Sequence, residues 1–215
     1  MRARILVTAL GVVLALGASA QAGLINPGFE TGDLSGWTVF TTPNGALGLR
    51  GVVPFDTDGD GRASRSARFR VGQARLAHPD LEGGGIFQGV ALGTGVLTIS
   101  ADIASWTPNG NLSGGFFELL FDGLVVAFHD FDLIDAGSVE RARLFASFDV
   151  EAGRHEVRLR MTRPWREDQV TPHQFVDNVL LVGPEPPVDP VPEPGTLLLL
   201  GGGLLGLAAR RRRTR

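Results

Sequence analysis

No cysteine occurs in the 215-residue chain, so no disulfide can staple the fold, no thiol can act as a nucleophile and no thiolate can hold zinc. Lysine is missing as well, since all 20 basic residues are arginine. Arg2, Arg4, Arg210 to Arg213 and Arg215 sit at the two ends, which leaves 13 arginines against 22 acids between Gln21 and Pro190. The body therefore carries a net charge near −9, although the whole chain is only −3. Nucleic-acid binding relies on clustered cations to neutralise phosphate, so this balance argues against such a partner and is compatible with calcium. Gly-x-Ser-x-Gly, His-Glu-x-x-His and the Walker loop are absent, and the four histidines, His78, His129, His155 and His173, are scattered. No apolar run reaches the ~20 residues of an ordinary membrane span.

Two shorter apolar runs are present, one near each end. Arg2 and Arg4 precede the run from Ile5 to Ala18, and Ala18, Ala20 and Ala22 offer Ala-x-Ala cleavage sites, which is the pattern of a removable secretion signal. The run from Gly195 to Ala209 is 15 residues, about 22 Å as a helix, a marginal span against the ~30 Å hydrocarbon core. Four consecutive arginines follow it and would hold that end in the cytoplasm, leaving everything upstream on the far side of the membrane.

Pro192, Glu193 and Pro194, then the weak apolar helix, then the arginine run, closely resemble the PEP-CTERM sorting signal of Gram-negative exported proteins. The resemblance implies recognition by an exosortase, a membrane-embedded transpeptidase-like protease, with the body released or passed to the envelope and extracellular polymer matrix. Six prolines between Pro184 and Pro194 predict an extended spacer that carries the body roughly 30 Å from the tail. The expected organisation is a signal peptide over 1–22, one domain over 23–183, a Pro-rich spacer over 184–191 and the sorting signal over 192–215.

The body reads as all-β. Short β-branched and aromatic runs are punctuated by Gly, Pro, Asn and Asp, which predicts strands over Trp37 to Thr41, Ala67 to Val71, Ile86 to Val90, Val96 to Ser105, Phe116 to Phe121, Leu124 to Phe131, Arg141 to Val150, His155 to Thr162 and Phe175 to Val182. Asp122-Gly123 between two apolar runs is a two-residue hairpin turn, since both residues tolerate a positive φ. From His155 to Met161 polar and apolar residues alternate, which turns Val157, Leu159 and Met161 to a core and the charged set to water. Gly83-Gly84-Gly85, placed before a strand and not before a helix, reads as flexible punctuation. There is no internal repeat of fixed period. The predicted fold is two packed antiparallel sheets, a β-sandwich of the jelly-roll kind, with a signal helix before it and a short hydrophobic helix after it.

A second resemblance lies at the two ends of this body. Asn26-Pro27-Gly28-Phe29-Glu30 with Gly32-Asp33-Leu34-Ser35-Gly36-Trp37 is similar to the opening of galactose-binding-like domains, which include many carbohydrate-binding modules, and Phe175-Val176-Asp177-Asn178-Val179-Leu180-Leu181 is similar to their closing strand. In that fold an acid from each end commonly binds a structural calcium, and the resemblance carries this role to Glu30 and Asp177. Calcium takes six to eight oxygens at ~2.3–2.6 Å and would tie down chain ends that otherwise fray. The alternative is that Glu30 caps a turn and Asp177 pairs with an arginine. Asp56-Thr57-Asp58-Gly59-Asp60-Gly61 begins like an EF-hand loop, but position twelve would be Ala67 in place of a bidentate Glu. Asp56, Asp58 and Asp60 either lend oxygens to the same calcium or form a solvated turn.

Sugar recognition by such a module needs an aromatic face and a few polar groups. Trp37 sits inside the opening motif and reads as core. Trp106 and Trp165 fall in loop-like stretches and are the candidates for stacking on a polysaccharide, with Asn109, Arg163 and Arg166 as the polar contacts. The body is read as a binding or structural protein without catalytic chemistry. The alternative from another class is a polysaccharide-active enzyme using Glu118 and Asp122 as its carboxylate pair; a third is a structural matrix protein with no specific ligand.

Overall fold

The computed structural model describes residues 23–76, 80–110, 112–167 and 172–187. Both predicted terminal helices and the sorting motif at Pro192 to Pro194 lie outside the described residues, as do His78 and Asn111. Among the described residues the chain forms strands β1 (Thr38–Thr41), β2 (Gly45–Leu47), β3 (Gly51–Phe55), β4 (Ser64–Phe69), β5 (Val71–Gln73), β6 (Glu82–Leu92), β7 (Gly95–Trp106), β8 (Leu112–Ser113), β9 (Phe116–Phe121), β10 (Leu124–Asp130), β11 (Leu133–Ile134), β12 (Val139–Val150), β13 (Gly153–Arg163) and β14 (His173–Val182), and no helix.

Two five-stranded antiparallel sheets make the sandwich. The front sheet runs β1-β6-β13-β9-β10 and the back sheet β12-β7-β14-β4-β3, with two separate small pairs, β2-β5 and β8-β11. Alternation along each strand decides which side chains meet between them. The front sheet contributes Ile86, Val90, Phe117, Leu119, Phe121, Val157, Leu159 and Met161, and the back sheet Phe69, Leu97, Ile99, Ala101, Ile103, Leu144 and Val176, all buried in one core. A fully buried Leu, Ile or Phe contributes ~1.5–3 kcal/mol, so this shared core is the main force holding the sheets together.

The Asp122-Gly123 hairpin forms as the sequence predicts, with φ of 49° and 79° and Leu124 paired to Phe121. Val157, Leu159 and Met161 face the core. Trp37 is buried, its ring 5.9 Å from that of Phe29 and its indole nitrogen donating to the Asn26 carbonyl at 3.1 Å. The opening segment docks on the last strand, where the Val179 N–H donates to the Pro27 carbonyl at 3.1 Å.

Three expectations need correction. The strand predicted over Ala67 to Val71 is two strands, because the chain leaves β4 at Arg70 and crosses to pair Val71 to Gln73 with β2. β2 and β3 were absent from the sequence reading; Pro54 lies within β3, which is tolerated because β3 is an edge strand and its missing N–H faces no partner. Gly83, Gly84 and Gly85 are not flexible punctuation but the interior of β6, flanked by β1 and β13. A β-carbon on these residues would overlap the carbonyl oxygens of Met161, Phe40 and Leu159 respectively, so the close approach of three strands requires glycine at all three.

Candidate functional site

At the end of β13 the chain meets Pro164 and turns alongside β5. The Trp165 carbonyl accepts from the Gln73 N–H at 2.8 Å and the Glu167 N–H donates to the Gln73 carbonyl at 3.2 Å, a short parallel bridge that fixes the backbone under the indole. Trp165 remains 40% exposed. It borders a cleft of about 230 Å³ with Leu81, Ser113, Phe116, Asp130, Asp132, Leu133, Thr162 and Pro164. Four separate stretches of chain converge here.

A buried polar brace shapes the floor of this cleft. Arg163 donates from Nε to the Ser113 carbonyl at 2.9 Å, Gln174 donates from Nε2 to the Gly114 carbonyl at 3.1 Å, and Ser105 donates from Oγ to the same carbonyl at 2.8 Å. Gln174 also accepts from the Val71 N–H at 3.0 Å. The Gly114 N–H in turn donates to the Asp132 carbonyl at 2.7 Å and so draws the β10–β11 turn against Ser113. Asp132 adopts φ 49°, and its N–H donates to Asp130 Oδ1 at 2.9 Å, a local turn that Asp tolerates well. Burial pulls the Arg163 guanidinium down to about 10, with the charge of Arg70 adding to the effect.

The outward face of the front sheet continues from the cleft. Phe116 stacks on Phe128 with ring centroids 5.5 Å apart. On the next rung Arg160 donates from Nε and Nη2 to the two Glu118 carboxylate oxygens at 2.5 and 2.9 Å, and this pairing raises the guanidinium above its ordinary value. Beyond it Arg158 lies 4.3 Å over the Phe40 ring and 5.0 Å over Phe87. The outward set is thus a pattern of rings and ion pairs, more organised than the solvated face predicted from alternation alone.

The expected ligand contacts separate in space. Trp165 lines the cleft. Arg163 does not offer itself to solvent: it is fully buried, because position 163 falls on the core-facing register of Val157, Leu159 and Met161. Arg166, the residue bridged to Gln73, is exposed. Trp106 belongs to the other sheet, where it ends β7, is half-buried and packs on His173 with centroids 5.2 Å apart. Asn109 is exposed in the turn that follows, with its backbone engaged by the Thr107 hydroxyl. Nothing in the sequence reading groups Phe116, Ser113, Thr162, Asp130 and Asp132.

The acids predicted to hold calcium gather at the opposite sheet. Asp177 is 1% exposed at a bulge in β14; its Oδ1 accepts from the Asn178 N–H at 2.7 Å, and its Oδ2 accepts from the Ser64 hydroxyl and from Ser66 Oγ at 3.2 Å. Burial pushes its carboxyl up, and the neighbouring charge of Glu30 pushes the same way against those hydrogen bonds. Gly28 lies between the two acids, since a β-carbon there would be 3.9 Å from both Asp177 Oδ1 and Glu30 Cγ. Asp58 lines an adjoining cleft with Gly28, Asp102, Arg143 and Asn178.

The Asp56, Asp58 and Asp60 carboxylates approach within 4.8 Å of one another. Each also accepts a backbone N–H of its own turn, and Asp56 pairs with Arg141 at 3.3 Å. Glu30, Ser64 and Ser66 offer oxygens near the Asp177 carboxylate, and among the described residues no cation lies within ion-pair distance of it, so the set fits a hard cation. Of the carboxylates weighed for catalysis, Glu118 is held by Arg160. Asp122 sits in the hairpin turn, accepting from the Glu156 N–H at 2.8 Å and bonded to His155 Nδ1 at 2.8 Å.

Comparison with known proteins adds the following. Residues 190–213 match the PEP-CTERM protein-sorting motif. No curated protein matches the chain. Among solved structures, the chain is similar to TmCBM61 in complex with β-1,4-galactotriose, at 17% identity over 75% of this chain and 98% of that one with a TM-score of 0.46. It is also similar to the CBM22-1-CBM22-2 tandem domain of Paenibacillus barcinonensis Xyn10C, at 16% identity over 80% of this chain and 49% of that one with a TM-score of 0.45. A family 35 carbohydrate-binding module from Clostridium thermocellum matches at 13% identity over 70% and 95%, with a TM-score of 0.36. At such identities the likeness is one of fold, an antiparallel β-sandwich.

Proposed function

We propose that this is an exported polysaccharide-binding protein of the cell envelope or extracellular matrix, whose tail over 192–215 is processed by an exosortase-type enzyme after the signal peptide over 1–22 directs export. The domain over 23–183 does the binding and the Pro-rich spacer over 184–191 holds it away from the membrane. One observation carries the reading: an indole 40% exposed, held on a fixed backbone, faces a cleft that also presents a phenyl ring, two hydroxyls and two carboxylates. Apolar sugar faces stack on rings and sugar hydroxyls satisfy such polar groups, the mixture that small-molecule sites use. At about 230 Å³ the cleft suits contact with one sugar unit of a longer chain.

The assignment as a binding module in preference to an enzyme is supported by the state of the acids. Glu118 is engaged by Arg160 through both oxygens, and Asp122 is taken up by its hairpin and His155. Structural calcium would be held by Glu30 and Asp177, with Asp58 of the Asp56–Asp60 turn on the cleft that Gly28 and Asn178 also line; its charge would offset a buried carboxylate and join the opening segment to β14. Trp106 and Asn109 would serve as a secondary contact on the other sheet.

Affinity electrophoresis of the full chain in detergent through gels containing soluble polysaccharides tests the reading. Retardation by at least one polysaccharide, lost in Trp165→Ala and kept in Trp106→Ala, is the expected result. Retardation by none, or unaffected by Trp165→Ala, would favour a matrix protein without a specific ligand.

A further inference from the structure

We propose that the Trp165 cleft selects sugar units bearing a protonated amine, as in a deacetylated hexosamine polymer, over neutral or acidic units; the inference rests on the polysaccharide-binding reading above. Among the described residues the cleft lining contains Asp130 and Asp132 and no arginine. Asp130 spends one oxygen on the Asp132 N–H, whereas among the described residues no hydrogen bond or ion pair reaches the Asp132 carboxylate. Among the described residues Arg166, exposed beside Trp165 in the chain, is not part of the cleft lining, and two other arginines near the cleft are committed elsewhere. Arg163 turns inward onto the Ser113 carbonyl, and Arg160 is locked to Glu118.

A sugar stacked on Trp165 therefore meets carboxylates without counter-charge. An ammonium group gains a charge-assisted hydrogen bond there, while a uronate or sulfate is repelled. The body's surplus of acids acts at longer range in the same direction, enriching a polycation near the surface.

Titration calorimetry of the full chain in detergent, at pH 6, with tetramers of β-1,4-linked glucosamine, N-acetylglucosamine, glucose and galacturonate tests this. The glucosamine tetramer should bind at least tenfold tighter than the other three. Raising the pH to 9 should remove that advantage, Asp132→Asn should remove it at pH 6, and chelator should have no effect. Asn tolerates the positive φ at this position, so the turn survives the substitution.

Equal affinity for the glucosamine, N-acetylglucosamine and glucose tetramers, all lost in Trp165→Ala, would overturn amine selection and leave the polysaccharide reading standing. Binding abolished by chelator, in protein that a melt shows to be still folded and in Glu30→Ala alike, would assign the Asp130 and Asp132 carboxylates to a divalent ion and overturn it as well. Failure of all four tetramers together with failure of the gel assay would remove both.

Discussion

Two groups of acids on this sandwich live under opposite conditions. Asp130 and Asp132 stand in water at the rim of the Trp165 cleft, whereas Asp177 is buried with Ser64, Ser66 and Asn178 around it. An exposed carboxylate is solvated and can wait for a ligand at little cost. A buried one must be compensated inside the fold at all times, by hydrogen bonds, a proton or a metal. Solvation alone thus separates recognition from architecture within one set of aspartates.

Removing the buried partner should break the comparison most severely. Asp177→Ala takes the acceptor from the half-buried Ser64 hydroxyl and from the Asn178 N–H, while Ser66 keeps the Phe55 carbonyl and the Thr57 hydroxyl, so a loss of up to roughly 3 kcal/mol is expected in urea denaturation. A loss below about 1 kcal/mol would mean that water reaches this site.

Calcium sharpens the contrast further. If Glu30 and Asp177 hold it, a free concentration 100 times the Kd raises stability by about 2.7 kcal/mol, read as a rise in melting temperature that chelator reverses and Glu30→Ala abolishes. Without calcium the sign is reversed in pH. The folded-state value of Asp177 is raised from 3.8, so its contribution is most favourable while it is protonated and is lost as pH climbs through that raised value. Melts of the chelated protein between pH 4 and 7, compared with Asp177→Asn, should show this loss, and an identical profile in the variant would deny it.

At the exposed end, Trp165→Ala should weaken polysaccharide binding about tenfold, which corresponds to ~1.4 kcal/mol, and shift stability by no more than ~0.5 kcal/mol. A large stability loss would show that the indole belongs to the architecture after all.

The smallest effect concerns an intermediate case. His155 bonds to Asp122 Oδ2 through Nδ1 and to the Glu151 carbonyl through Nε2 at 3.0 Å, two acceptors that only the doubly protonated ring satisfies, and Asp122 accordingly raises its pKa from 6.5. Its stabilisation is complete below the unfolded value of about 6.5 and disappears as pH rises through the higher folded value. Asp122→Asn should flatten the pH dependence of the melt in that window; an unchanged slope would remove His155 as its source.

Much of the fold was legible because period-two alternation is a local signal. Val157, Leu159 and Met161 faced inward as read, and the same alternation extended two residues further already placed Arg163 inside. Charge suggested the opposite. The Gly83–Gly85 run misled for a different reason: composition alone does not distinguish a loose turn from a place where neighbouring strands come too close for a side chain. The nearness of Glu30 to Asp177 was legible through a family-like motif. The cleft was not, since Leu81, Phe116, Asp130, Asp132 and Trp165 come from distant stretches that only the register of β9, β10 and β13 unites.

The crowding around β6 also has a genetic reading. Every missense change at Gly83, Gly84 or Gly85 introduces at least a β-carbon into space already held by the carbonyls of neighbouring strands. Only the third base of each of these codons is then free to drift. Across diverging copies of this gene, that short tract should stay constant while the rim of the cleft varies with the polymer it meets.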